Sequence, residues 1–114
     1  MNGYLIENIF SKIYVSSHTD ILPDLIAGRR TVVITDSNVF ALYGDILSRY
    51  ETVVINGGEA NKNLETVQVI YRQLMAMGAD RSTLLIGVGG GVVTDITGFV
   101  AATYMRGVKY GFIS

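Results

Sequence analysis

The sequence predicts an α/β fold with a mainly parallel sheet covered by helices on both faces, and three features carry that expectation. First, "TVVITD" from Thr31, "TVVIN" from Thr52 and "TLLIGV" from Thr83 are continuous apolar runs, not alternating ones. Strands buried on both faces have this character. Second, the segments between them carry apolar residues at helical spacing, so strands and helices alternate along the chain. Such alternation calls for crossover connections and parallel pairing. Third, each run ends in a polar or glycine-rich loop: "TDSN", "NGGEANK" and "GGGVVTD". In an open parallel sheet, ligands bind outside the carboxyl ends of the strands.

Composition narrows the function classes. At 114 residues the chain is the size of one small domain, and 49% hydrophobic residues are enough to bury a core. Net charge is −1, and no basic stretch offers a surface to nucleic acid or to an anionic membrane. The absence of cysteine excludes disulfides, thiolate metal sites and cysteine nucleophiles. "MNGYLIENIFSKIYV" lacks a basic segment followed by an unbroken apolar run, and no run reaches membrane-spanning length. The expected location is the cytoplasm.

In chain order, "SKIYVS" (Ser11 to Ser16) is expected as a short strand. "TDILPDLIAG" is expected as a short helix capped by Thr19 or Asp20 and ended by Gly28, with Pro23 tolerated in its first turn. After the strand from Thr31, "SNVFALYGDILSRY" places Phe40, Tyr43, Ile46, Leu47 and Tyr50 at helical spacing. "GGEANKN" is a polar loop. "LETVQVIYRQLMAMG" has an apolar stripe of Leu64, Val67, Ile70, Tyr71, Leu74 and Met75, with Glu65 in the first turn and Gly78 after the last. The glycine run then opens a helix from about Val93 that is apolar most of the way round, with Asp95 in its first turn. "VKYGFI" begins one more strand. The architecture is Rossmann-like.

The candidate site residues follow from the three loops. Gly89, Gly90 and Gly91 lie between a strand and a helix start. Residues without Cβ let backbone N–H groups approach an anion, and the helix dipole adds positive potential there. A tight turn without ligand explains the same glycines about as well. The run is neither a Walker motif nor a strict dinucleotide fingerprint. Asp36 and Asn38 suit ribose hydroxyls or a base amino group, and suit a helix cap better still. Glu59 and Lys62 are an acid and a base fit to grip ribose or phosphate, or simply solvated. Asp95 favours a helix amino end. Arg106 suits a phosphate, the helix carboxyl end or another subunit. His18 is the single histidine, and no metal ligand is expected in the chain.

With these residues in place, the chain resembles the 3-dehydroquinate synthase family. "GGGVVTDITGFVAATYMRG" is similar to that family's glycine-rich segment, helix and Arg-Gly ending, and "TDSNV" and "GGEANKNLETV" resemble two further segments in the same order. Thr94 is a departure, since many members have Gly there. The resemblance implies a dehydroquinate synthase-like cofactor domain using NAD and a divalent metal, zinc or cobalt. It implies conversion of 3-deoxy-D-arabino-heptulosonate 7-phosphate to 3-dehydroquinate and phosphate in the shikimate pathway, toward chorismate and the aromatic amino acids, by a carbon–oxygen lyase. Carried onto this chain, Asp36 and Asn38, with Gly57, Gly58, Glu59, Ala60, Asn61 and Lys62, resemble NAD contacts on the adenosine side. Gly90 and Gly91 resemble the pyrophosphate cradle, with Val92, Val93 and Thr94 in the same segment. Asp95 resembles an acid on the nicotinamide side, and Arg106 a contact to the substrate's phosphate.

The family's metal site takes one Glu and two His from a later helical domain. The expectation is therefore that residues 1–114 form an incomplete amino-terminal NAD-binding domain, truncated before the metal and substrate domain and inactive alone. A homodimer is expected, because Leu84, Ile86, Val100 and Phe112 would otherwise be incompletely covered. Alternatives are another sugar-phosphate cyclase, a metal-dependent alcohol or glycerol dehydrogenase, or a stand-alone nucleotide-binding module.

Overall fold

The computed structural model describes residues 3–7, 12–16 and 28–113. Two strands, β1 (Gly3–Glu7) and β2 (Lys12–Ser16), pair antiparallel with Leu5 opposite Tyr14. Then follow β3 (Thr31–Asp36), α1 (Ser37–Leu47), β4 (Glu51–Ile55), α2 (Leu64–Ala76), β5 (Leu84–Val88), α3 (Gly91–Thr103) and β6 (Tyr110–Ile113). The last four strands form a parallel sheet of order β4-β3-β5-β6. Val33 lies opposite Thr52 on one side and Ile86 on the other, and Ile86 lies opposite Gly111. This is the Rossmann-like α/β arrangement the sequence predicts.

Strand side chains alternate between two cores, because successive residues point to opposite faces. Val32, Ile34, Val53, Ile55 and Leu85 pack with Val67, Ile70 and Leu74 of α2 and Val93, Ile96 and Val100 of α3. Val33, Leu84, Ile86, Val88 and Ile113 pack with Leu47 at the end of α1. β3 and β5 are for this reason buried at every position but Asp36, and mostly by apolar residues. β4 does not: it is a sheet edge, and Val54 is 40% exposed. "TVVIN" is thus buried on one face only.

The helices differ from expectation at their ends. Asp36 caps α1, with the Val39 N–H donating to its Oδ1 at 2.8 Å. The helix stops at Leu47, so Tyr50 lies beyond it, and Tyr43 and Ile46 are exposed. Asn63 caps α2, whose stripe is buried at Val67, Ile70 and Leu74 but open at Leu64 and Met75. α3 starts at Gly91, two residues earlier than expected. Asp95 therefore lies beyond the first turn, and the exposed Phe99 shows that one side of the helix faces solvent. β1 was not expected at all. The helix expected over "TDILPDLIAG" lies outside the described residues except for Gly28, as does His18.

The hairpin sits against the parallel sheet through β2 and β6. Leu84, Ile86 and Val100 are buried and Phe112 is half-buried. The expectation that these four are incompletely covered is overturned for Leu84, Ile86 and Val100, while Phe112 keeps part of its surface open.

Candidate functional site

The parallel strands all end on one edge, and the loops leaving β3, β4 and β5 meet there. Asp36 ends β3, and Asn38 lies in the first turn of α1. An added Cβ on Gly57, in the loop after β4, would lie 2.9 Å from Asn38 Nδ2 and 3.6 Å from Asp36 Cγ. The first two loops are therefore in contact, and Gly57 is needed for that approach. Asp36 accepts from the helix it caps, so the capping role is realised.

The loop after β4 is ordered by its own hydrogen bonds. Gly58 has φ +105, which favours glycine, and starts a 3-10 turn over Glu59–Asn61. The Asn61 side chain donates to Gly57 O at 2.9 Å, the Asn63 side chain donates to Ala60 O at 2.9 Å, and the Lys62 N–H donates to Glu59 O at 3.0 Å. Glu59, Ala60 and Lys62 are exposed.

The loop after β5 is open at Gly90 and Gly91. Gly90 caps α3 without any side-chain hydrogen bond. A Cβ on Gly90 or Gly91 would meet nothing within 4 Å. Gly89 differs: it has φ +154, and its added Cβ would lie 2.9 Å from Val93 Cγ2. The first N–H groups of a helix have no partners within it, so backbone donors face open space here. Val93 is buried and Val92 half-buried, so these two residues offer the edge main chain rather than side chain. The Thr94 hydroxyl turns back to donate to Gly91 O at 3.1 Å.

Lys62 Nζ lies 2.7 Å from Asp95 Oδ2, joining the β4 loop to α3. The hydrogen bond and the charge of Asp95 raise the Lys62 ammonium above its ordinary pKa. Beside this pair, a groove of about 330 Å³ runs between α2 and α3, lined by Lys62, Asn63, Leu64, Val67, Asp95, Ile96 and Phe99. The sequence reading did not find this groove. Its signal was the i, i+3 pairs Leu64/Val67 and Ile96/Phe99, which place one residue of each pair on a core and one at its margin.

Arg106 is not part of this edge. α3 leaves the carboxyl end of β5 and runs back for 13 residues, about 20 Å, to the opposite edge where β6 begins. Arg106 lies there, exposed, with φ 70 and preceded by Met105 at φ 47. Among the described residues, no three His, Cys, Asp or Glu side chains come together as a metal-binding group, and no helix is long and apolar enough to cross a membrane.

Fold and edge together define a parallel α/β protein with a glycine-lined helix start at the carboxyl ends of its strands. Two solved structures share that fold. A crystal structure of 2-deoxy-scyllo-inosose synthase matches with a TM-score of 0.77 at 21% identity, over 97% of this chain and 35% of that one. A 2-deoxy-scyllo-inosose synthase complexed with carbaglucose-6-phosphate, NAD+ and Co2+ matches with a TM-score of 0.74 at 21% identity, over 97% of this chain and 34% of that one. The chain thus spans about a third of the length of these structures. Residues 52–114 match the family model described as 3-dehydroquinate synthase N-terminal, which is more than half of the sequence, and the chain belongs to that family.

Proposed function

We propose that residues 1–114 act as the NAD-binding domain of a 3-dehydroquinate synthase. The observation that carries this reading is the start of α3. Gly90 and Gly91 open on empty space, no side chain caps the helix, and the Asp36/Asn38 and Gly57–Lys62 loops stand beside it. These residues fit a dinucleotide. The pyrophosphate takes the backbone donors of Gly91 and the residues after it, while Asp36 and Asn38, with Glu59 and Lys62, face the adenosine half. Asp95 serves the nicotinamide side. NAD bound here supplies a hydride acceptor and donor. The chain's own residues bind it, orient it and keep the helix start clear.

The described residues do not fit a divalent metal site, so the zinc or cobalt of the reaction is not assigned to them. Arg106 at the far edge cannot reach a ligand held by Gly91 of its own chain. In the role of phosphate contact it belongs to the site of a second copy, which supports a homodimer. A cytoplasmic enzyme of the shikimate pathway is the corresponding whole.

The test is calorimetric titration with NAD, followed by a phosphate-release assay with the heptulosonate 7-phosphate, NAD and added cobalt or zinc. Weak NAD binding without turnover is expected. Turnover by the purified chain would show that it carries a complete catalytic site. A second reading, another sugar-phosphate cyclase, is favoured by the fold likeness to 2-deoxy-scyllo-inosose synthase. It predicts that in a longer protein carrying this domain the heptulosonate phosphate is rejected in favour of a hexose 6-phosphate.

A further inference from the structure

We propose that Lys62 and Asp95 form a clasp, which ties the Gly57–Lys62 turn to α3 in the ligand-free protein and opens when a nucleotide takes the Lys62 ammonium. The inference rests on the reading of this edge as a dinucleotide site, and deepens it: two charges expected to meet a ligand meet each other first. Three observations support it. The pair is short, at 2.7 Å, and links residues 33 apart in sequence. It lies on the rim of the groove lined by Leu64, Val67, Ile96 and Phe99, so opening it widens the mouth between α2 and α3. Both side chains remain about half exposed, at 45% and 58%, so neither is locked in place by burial.

Exposure is what suits the pair to this use. An ion pair in water contributes little, because the gain is screened and two long side chains must be held. A buried pair would resist a ligand; this one can exchange partners. Lys62 also ends the 3-10 turn, its N–H bonded to Glu59 O while the Asn61 N–H is bonded to Gly58 O. In this proposal, release of the ammonium loosens the hydrogen bonds that order the turn.

The clasp makes a prediction that a plain contact does not. ADP carries the half of the ligand that Lys62 serves and lacks the half that Asp95 serves. Asp95→Ala frees Lys62, and ADP binds tighter, by up to about fivefold for an exposed pair. Lys62→Met weakens ADP binding. In the Lys62→Met background the gain from Asp95→Ala disappears, since there is no ammonium left to free. Titration calorimetry with ADP on the four proteins reads this cycle.

Amide hydrogen exchange on the ligand-free proteins gives a separate readout. The Asn61 and Lys62 amides are expected to exchange faster in both single variants than in the parent chain. Unchanged exchange overturns the clasp whatever ADP does. A gain of equal size in both backgrounds overturns it too, because simple repulsion by Asp95 then explains the effect. Faster exchange with no ADP binding by any of the four proteins overturns the dinucleotide reading and the nucleotide's part in opening, and supports the tie alone.

Discussion

Arg30 and Gly91 stand at opposite edges of one sheet, and their surroundings differ. Arg30 precedes β3 and is fully engaged. Its Nε and Nη2 donate to the two carboxylate oxygens of Glu51 at 3.1 and 3.2 Å, its Nη1 donates to Gly78 O at 2.8 Å, and Nη2 also reaches Met77 O. The guanidinium thus joins the starts of β3 and β4 to the carbonyls that end α2. Nearby, the Tyr104 hydroxyl donates to Ala79 O at 2.8 Å, and Asp80 accepts from the Ser82 hydroxyl and N–H. At Gly91 nothing comparable closes the helix start. At the amino edge Arg30, Tyr104 and Asp80 all have partners within the chain. The carboxyl edge leaves backbone donors facing solvent, and there Lys62 and Asp95 form an exposed pair. Stability and binding are therefore separable by edge, and substitutions should divide accordingly.

The largest effect is expected on binding. A side chain on Gly91 points into the space proposed for the pyrophosphate and touches nothing in the protein. Gly91→Val should leave the thermal midpoint unchanged or slightly raised, since glycine loses more freedom on folding. Losing one charge-assisted contact, about 1.5–3 kcal/mol, weakens NAD binding roughly ten- to hundredfold. Calorimetry beside a melting curve checks both halves. Normal NAD binding by the folded variant would remove the cradle from Gly91.

Gly87, four residues earlier, should behave in the opposite way. Its added Cβ would lie 2.6 Å from Thr97 Oγ1 and 3.0 Å from Thr97 Cβ, on the buried seam between β5 and α3. Thr97 Oγ1 is itself buried without a hydrogen-bond partner, so the seam is close-packed around it. Gly87→Ala forces the helix off the sheet, at a cost of about 1–3 kcal/mol for overpacking. Chemical denaturation measures this. A variant as stable as the parent would show that α3 is not held at that distance by β5, and that the cradle is less fixed than the two glycines imply.

Much of this division was legible in the sequence, and the illegible parts have physical causes. β3 and β5 are central strands, so both faces must be apolar and the pattern is unambiguous. β4 has the same composition in "TVVIN" but stands at an edge, and composition does not say which strand is last. The start of α3 was placed late because glycine is a weak helix former; Gly91 is helical because the preceding Gly90 supplies the extended cap. Leu64 and Met75 continue the stripe in sequence but lie in the first and last turns of α2, where they stay exposed. β1 was missed because "GYLIE" is short, and nothing in its own pattern marks the hairpin it forms with β2. Of the site, the loops at the carboxyl edge were foreseen. The Lys62–Asp95 pair was not, because two residues each matched to a ligand carry no sign that they face one another. The resemblance matches Arg106 to a phosphate contact and the sequence leaves another subunit open; the length of α3 puts it at the other edge.

At the amino edge, the Tyr104 hydroxyl is buried and bonded to Ala79 O. Burial raises its pKa. Tyr104→Phe keeps the ring and leaves the carbonyl without that donor, which should cost about 1–2 kcal/mol. NAD affinity should not change, because the ring lies at the edge away from Gly91. A joint loss of stability and NAD binding would mean that the two edges are not independent.

The smallest effect separates the edges by pH. At the amino edge, Asp80 is held below its ordinary value of 3.8 chiefly by the Ser82 hydroxyl and N–H, with Arg30 adding attraction. A carboxylate depressed in the folded state contributes stability that is complete above its unfolded pKa and is lost as pH falls through the folded one. At the carboxyl edge, Lys62 is raised above 10.5 by Asp95. A raised cation contributes stability that is complete below its unfolded pKa and is lost as pH rises through the folded one. The two ties therefore fail at opposite ends of the scale. In thermal melts across pH, Asp80→Asn should be less stable than the parent at neutral pH, with the gap closing below about pH 4. Lys62→Met should differ from the parent up to about pH 10.5 and converge with it only as pH rises further. Both differences are small, since both pairs are exposed. Convergence of both variants at the same end of the pH range would show that the charges of the two edges are coupled, and that stability and binding do not divide between them.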